Sequence, residues 1–514
     1  MRRGAKRSGR GQRKLARVAD SLAHQLPWIN LVNPYPPLEP LSSDQLGAIH
    51  EASMTVLEDY GIEVLSERVR ASFRGAGARV DDSHGIVRPD RELVLDLVAR
   101  APGAFSLTPR NPNRRLEVGG AHIHFGMVSG PPNVHDCVNG RRPGNFADYE
   151  RLVQLGQTFN AIHFFGNQSV APIDLPAQTR HLDTYRASLI LSDKVFSAVP
   201  IGRGRVRDAV EMVARARGLS LGELAISPSL FGNININSPR KLDEAMSEGA
   251  LALAEYGQAV IVTPFTLMGA MTPVTLAAGL VQQNAEALFG IAMVQLFFPG
   301  TPVVYGGFTS NVDMRSGAPA FGTPENAKAN LAGGQLARHY GLPYRSSGCN
   351  ASNTADAQAV YETQMSLWSA VLGNGNLLYH AAGWLEGGLV ASFEKVIIDV
   401  EMLQNLTCLF SKPKVNTEEL ALDTIGAVPP GGHFFGTEHT MQRYESAFYQ
   451  PLLSDWQNNE SWVEAGAKDA TQRATDLWQQ AIHSFEPPPI DPGRLEAIDE
   501  YVEKRKHEIG SGEP

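Results

Sequence analysis

Leu377–Glu401 reads LLYHAAGWLEGGLVASFEKVIIDVE. A short apolar run passes through His380, a loop follows with Trp384, Glu386 and paired glycines, and an apolar-periodic helix takes over. This is one strand, loop and helix unit of an α/β enzyme. Its polar and aromatic residues stand at the strand's C-terminal end, where such folds gather ligands. Similar units precede it: candidate strands are Ile162–Gly166, Val195–Pro200, Ala225–Ile236, Ala259–Phe265, Pro302–Phe308, Tyr344–Cys349 and Asn376–Ala382, each followed by a helical pattern. An eighth strand is sought in the His122–Val128 region. Alternation at this pitch implies a parallel sheet, and the number of units favours closure. The expected fold class is α/β: a (β/α)8 TIM barrel with an N-terminal α/β extension and a C-terminal helical tail.

Punctuation along the chain supports this plan. Ser238-Pro239, Thr272-Pro273 and Thr323-Pro324 each offer a hydroxyl cap followed by proline at the first helical position. Gly257, Gly341 and Gly373–Gly375 stand where helices should stop. Ser42 caps a run reaching Tyr60, and Pro89 opens a helix near Arg91–Ala101. The domain reading is a basic arm over 1–40, the extension over 41–160, the barrel over 161–450 and the helical tail over 451–514.

Composition bounds the function. The 514 residues carry 43% hydrophobic and 19% charged residues, ordinary values for a globular protein. Arg2, Arg3, Lys6, Arg7, Arg10, Arg13, Lys14 and Arg17 leave the rest of the chain at −17, its total of −9 less those eight positive charges. A basic arm of this kind reads as a solvated tail, and no nucleic acid or membrane partner is expected. Val18–Gln25 is too mixed for a signal peptide. The apolar stretch Thr272–Pro299 is broken by Gln282, Gln283, Asn284, Glu286 and Gln295, which fits a buried helix and not a membrane span. Cys137, Cys349 and Cys408 are too few and too scattered for a disulfide framework, as suits a reducing cytoplasm.

No dinucleotide fingerprint, Walker loop or G-x-S-x-G elbow occurs in the required context. His122-Ile123-His124 raises a metal-dependent barrel hydrolase, but no further ligands follow and no tightly bound metal is expected. The strand ends do offer aromatic surface in Phe265, Tyr305, Phe308, Tyr379, His380 and Trp384, with Phe231 in the third unit. Such rings attract a methylated cation through their quadrupole, and they equally well fill a barrel core.

The segments AAGWLEGGLVASFEKVIID (residues 381–399), YRSSGCNASNTADAQAVYE (344–362), DYGIEVLSERVRASFRGAGARVD (59–81), RNPNRRLEVGG (110–120) and GGHFFGTEHTMQRY (431–444) resemble the trimethylamine methyltransferase family of corrinoid-dependent enzymes. The likeness extends from about residue 40 to 480. It implies a (β/α)8 barrel that passes a methyl group from an amine to the cobalamin-type cofactor of a separate corrinoid protein. Archetypal members carry pyrrolysine just before the motif that is Asp356-Ala357-Gln358 here; this chain has only standard residues, and Asn353 falls nearest that position. The resemblance therefore points to the non-pyrrolysine branch, whose members include demethylases of glycine betaine and related quaternary amines.

On this reading the catalytic residues are His380, Glu386 and Asn353, and the substrate-binding residues are Phe265, Tyr305, Phe308, Arg345, Tyr379 and Trp384. Glu386 and Asp183 are expected to balance the ammonium charge, and His380, Arg345 and Asn235 to bind a betaine carboxylate. A homo-oligomer is expected from the size of the barrel and its helical tail. The competing readings are the metal-dependent hydrolase and a barrel that binds quaternary amines without catalysis.

Overall fold

Eight short buried strands hydrogen-bond in parallel, in chain order, until the last meets the first. They are β1 (His122–Met127), β2 (Phe164–Phe165), β3 (Val195–Ala198), β4 (Phe231–Ile234), β5 (Ala259–Val262), β6 (Val303–Gly306), β7 (Tyr344–Ser347) and β8 (Leu377–Ala382). Closure pairs Leu377 with His124 and Leu378 with Phe125. This computed structural model describes residue 22 and residues 25–511, so the basic residues Arg2–Arg17 lie outside the described part. An α-helix follows each strand: α1 (Phe146–Thr158), α2 (Arg180–Leu191), α3 (Arg203–Arg217), α4 (Glu244–Glu255), α5 (Leu276–Phe297), α6 (Pro324–His339), α7 (Ala357–Leu372) and α8 (Phe393–Leu409). The chain is therefore a closed (β/α)8 barrel. Its first strand lies in the His122–Val128 region, ahead of the boundary drawn at residue 161.

Only one of the three hydroxyl-proline pairs caps a helix. Thr323 accepts from the Asn326 amide with Pro324 in the first turn, whereas α4 is capped by Asp243 and α5 by Thr275. Ser238 instead donates to Glu286, and Thr272 pairs with Met268 in an isolated bridge, so both earlier prolines sit in loops. A later side chain that reaches the third helical amide wins the cap in each case.

Strand parity decides what fills the barrel. Phe164, Val195, Phe231, Ala259, Ile261, Val304, Leu377 and Tyr379 form one inward cluster with Leu107, Leu116 and Val118 of the hairpin Ala104–Leu107/Leu116–Gly119. The hairpin plugs the N-terminal end of the barrel. Fully burying each such side chain contributes roughly 1.5–3 kcal/mol before conformational entropy is counted. Outside, helix Ser43–Thr55, capped by Ser42 and Gln45, packs with Arg91–Val98 on α5. That cover explains why Gln282, Gln283, Asn284, Glu286 and Gln295 are all buried. Among the described residues no helix is long and apolar enough to cross a membrane.

The C-terminal end is left open and walled. Phe265–Met268 and Phe308–Val312 continue β5 and β6 after short breaks and pair in parallel, with Pro319–Ala320 alongside. On another side Trp384–Leu385 turns back antiparallel on Val390–Ser392, which pairs with Asn133–Asp136. The loop of the opening quotation is thus a β-ribbon on the mouth. Helix Ala470–His483 packs along α8, and Pro492–Ser511 along α2 and α3.

Candidate active site

Alternation in β7 sends Arg345 and Ser347 into the barrel beside Tyr379 of β8. Arg345 is 2% exposed, and its Nε and Nη1 have no hydrogen-bond partner among the described residues. Two rings flank it: its guanidinium carbon lies 4.6 Å from the Tyr379 centroid and 5.1 Å from that of Phe308. Burial pushes its pKa down to about 10, which leaves it charged at neutral pH. A buried charge without a counterion costs several kcal/mol, and two ring faces recover only part of that. Ser347 Oγ and His380 Nδ1 are buried and unpartnered beside it, and the Tyr379 hydroxyl has only Ser197 within reach. Unserved donors and acceptors at the top of one barrel describe a place for a polar, anionic group.

Above the guanidinium the rings converge. In a regular strand His380 would face the helices, but β8 shifts register between Leu378 and Ala382, and His380 takes a left-handed φ of 56°. Holding a non-glycine residue there costs on the order of 1–3 kcal/mol. The result is a His380 ring 4.2 Å from Trp384 and 6.1 Å from Phe308, centroid to centroid. Burial first, then the Arg345 charge, hold its pKa well below the usual histidine value, so the imidazole is neutral. Trp384 lies 6.3 Å from Phe308 and 6.1 Å from Phe321, and Phe265 stands 5.0 Å from Phe308.

The ribbon is locked from below. Trp384 Nε1 donates to the Asn350 carbonyl (3.1 Å), and Asn350 Nδ2 donates to the Trp384 carbonyl (2.6 Å). A Cβ on Gly388 would lie 2.5 Å from the Trp384 ring, so the second glycine of the quoted pair is required for the ring's position. Asp399 accepts from the Gly383 amide (2.9 Å) and pairs with Lys395, itself bonded to Thr363 (3.0 Å).

Other expected residues lie elsewhere. Tyr305 faces outward, because Val304 and Gly306 take the inward positions of β6; its hydroxyl donates to Asn284 (3.1 Å) in the helix layer. Glu386 stands at the rim, held by Arg141 at 3.0 Å and so already neutralised. Asn353 is exposed on the rim loop after β7, next to Ser352, whose carbonyl accepts from the Glu386 amide (2.8 Å). Asp183 pairs with Lys506 on the outer layer (2.5 Å), which removes it from any role at the mouth. Asn235 is exposed near the mouth and accepts from Asn233 (3.2 Å). His122 and His124 open β1 at the opposite, N-terminal end, and His124 Nε2 bonds the Glu117 carbonyl (2.8 Å) in the hairpin plug. That placement overturns the idea of a metal pair at a strand's ligand end. Among the described residues no group of three or more His, Cys, Asp or Glu could hold a metal ion. Phe321 and Ser347 escaped sequence reasoning: Phe321 follows a Gly- and Pro-rich loop without periodicity, and Ser347 is one of many barrel serines.

The geometry defines a closed (β/α)8 barrel whose mouth holds aromatic rings beside a buried guanidinium with two unpartnered nitrogens. The family model "Trimethylamine methyltransferase (MTTB)" matches residues 6–510. The chain belongs to that family of methyltransferases. It is 37% identical over 471 residues to the glycine betaine methyltransferase of Desulfitobacterium hafniense (strain Y51), covering 91% of this chain and 98% of that one. To the trimethylamine methyltransferase MttB of Desulfitobacterium hafniense (strain DSM 10664 / DCB-2) it is 29% identical over 474 residues, covering 91% and 94%. The solved Methanosarcina barkeri monomethylamine methyltransferase (MtmB) aligns over 93% of each chain at 10% identity, with a TM-score of 0.47.

Proposed function

We propose that this protein moves a methyl group from glycine betaine, or a closely related betaine, to the cobalt(I) of a corrinoid carried by a separate protein. The observation that carries the reading is the buried, unpaired Arg345 guanidinium beneath a group of aromatic rings. A betaine supplies both missing elements in one molecule: a carboxylate for the guanidinium and a quaternary ammonium for the rings. The similarity to a protein named glycine betaine methyltransferase and the standard residues around Asn353 support the same choice.

The chain's own residues then have distinct tasks. Arg345 binds the carboxylate through Nε and Nη1, with Ser347 and Tyr379 as further donors. Phe308, Phe321, Trp384 and the neutral His380 surround the ammonium, and a protonated imidazole there would repel it. Glu386, engaged by Arg141, is not needed as a counter-charge, because the substrate's own carboxylate balances its cation. The walls at the mouth exclude water and leave one methyl group facing out, so positioning is the main contribution. The corrinoid, when docked, would supply a cobalt(I) nucleophile strong enough for a C–N bond whose leaving group is a neutral tertiary amine.

The test mixes the protein with a reduced corrinoid carrier and glycine betaine, choline or trimethylamine, and follows the cobalt(I) absorbance. Glycine betaine should consume cobalt(I), and the other two should do so poorly. Equal turnover of trimethylamine, or demethylation without any corrinoid, would overturn the reading. Binding of betaine with no loss of cobalt(I) would leave a non-catalytic binder.

A further inference from the structure

We infer that residues 412–448 form an arm whose apolar face is covered by a second copy of this chain. The stretch leaves the barrel at the far end of α8 and rejoins it at Leu452 and Leu453, whose amides donate to Glu401 (2.8 and 3.0 Å). Among the described residues, the hydrogen bonds made by 412–448 have both ends inside the stretch, and so does the Arg443–Glu418 ion pair. Its helices Thr417–Leu420, Leu422–Ala427 and Glu438–Met441 are 4, 6 and 4 residues long. Isolated helices are marginal in water below about 12–15 residues, so such a segment does not hold its shape by itself. Yet Val415, Leu422, Ile425, Phe435, Met441 and Phe448 are 77, 69, 56, 80, 58 and 77% exposed.

Position, charge and area name the occupant. Helix α8 begins at the mouth and runs away from it, so Phe410 stands roughly 25 Å below at about 1.5 Å per residue. A protein docked over the mouth is remote from the arm's outgoing root, while the returning end lies beside Glu401, about 12 Å along α8 from the mouth. Lys412, Lys414 and Arg443 are interspersed with Glu418, Glu419, Asp423, Glu438 and Glu445, so the arm presents no single-sign field for a charged partner. Aromatic side chains bury roughly 150–250 Å² each, so Phe434, Phe435, Tyr444 and Phe448 with the aliphatic residues approach the about 800 Å² per partner of a stable interface. In a two-fold pair each arm lies against the other copy, and that area is gained twice.

Sedimentation velocity on the full chain across the micromolar range tests this. The unaltered protein should sediment as a dimer or a multiple of one. The double variant Phe435→Asp, Phe448→Asp should dissociate to a folded monomer, with association weakened at least about a hundredfold. Ile226→Asp, at a site 87% exposed elsewhere on the molecule, should leave assembly unchanged. If the first double variant does not fold, Val415→Asp with Ile425→Asp carries the same test. A monomeric wild-type protein would mean that some other chain or segment covers the arm, and would overturn the proposal. So would a folded arm variant that keeps the wild-type mass.

Discussion

Two fully buried cations sit at opposite ends of the barrel, and they are treated in opposite ways. Lys194, just before β3 at the N-terminal end, donates to the carbonyls of Gly156 (2.7 Å) and Phe159 (2.8 Å) and lies next to Asp193 in sequence. Arg345, near the C-terminal end of β7, has bare Nε and Nη1 and two rings for company. At the first end the chain serves its cation: Lys194 has two carbonyls and the hairpin fills the opening, although the neutral His124 Nδ1 and Trp28 Nε1 there are left without a partner. At the second end the chain leaves two guanidinium nitrogens unserved. A buried charge whose needs are met by the fold is structural, whereas the unmet one is the basis of the betaine site proposed above.

Removing each cation should separate the two roles most strongly. Arg345→Met is expected to lower kcat/KM for glycine betaine by about thirtyfold to several thousandfold, the range for losing one partner of a desolvated charge pair. Its melting temperature should hold or rise, since an unpaired buried charge is gone. Lys194→Met should do the reverse, destabilising the fold by about 2–6 kcal/mol through two stranded carbonyls while the folded fraction keeps its affinity. Calorimetry and steady-state kinetics on both variants decide it. A large stability loss in Arg345→Met with unchanged kinetics would break the comparison.

The two buried tryptophans offer a second contrast. Trp384 at the mouth and Trp478 in the outer layer are 6% and 8% exposed, and each donates through Nε1, to Asn350 and to Glu394. Either Trp→Ala change should cost about 3–5 kcal/mol of stability. Only Trp384→Ala should also weaken betaine binding, by about five- to thirtyfold for the lost ring face. Titration calorimetry below each variant's melting point reads the difference. Equal affinities would remove Trp384 from the cation site.

Acid sharpens the comparison least. Burial lowers the pKa of His124 to about 4 and holds His163 and His380 well below 6.5. Each therefore stays neutral in the fold while the unfolded chain takes up a proton below 6.5, so stability falls as pH drops through that value. One unit below, the loss is about 1.4 kcal/mol per histidine. His380→Phe should remove one share of this slope, seen as a smaller drop in denaturation midpoint between neutral and mildly acidic pH. An unchanged slope would mean that His380 is protonated in the fold, contrary to a neutral wall for the ammonium.

Some of this was legible in the chain itself. Buried parallel strands read as short apolar runs bounded by Gly and Pro, and the helices between them as amphipathic repeats, so the strands after β1 were placed from local pattern. The residues Arg345, Phe308, Tyr379, His380 and Trp384 were also within reach, because the ligand end of such a strand is known once the strand is. Which way each side chain faces was not. Tyr305 points to the helices because β6 pairs in the register that turns Val304 inward, and that register belongs to β5 and β7 as much as to β6. His380 faces the rings only because β8 is bulged where it meets β1, a strand far away in sequence. Phe321 joins the group from a loop with no period to read. His122 and His124, weighed as a metal pair, prove to open β1 and so stand at its N-terminal end, which the strand's exact start decides. Local composition determined which segments become strands and helices; pairing between distant segments decided which side chains meet, since facing and register are set by partners that no single stretch contains.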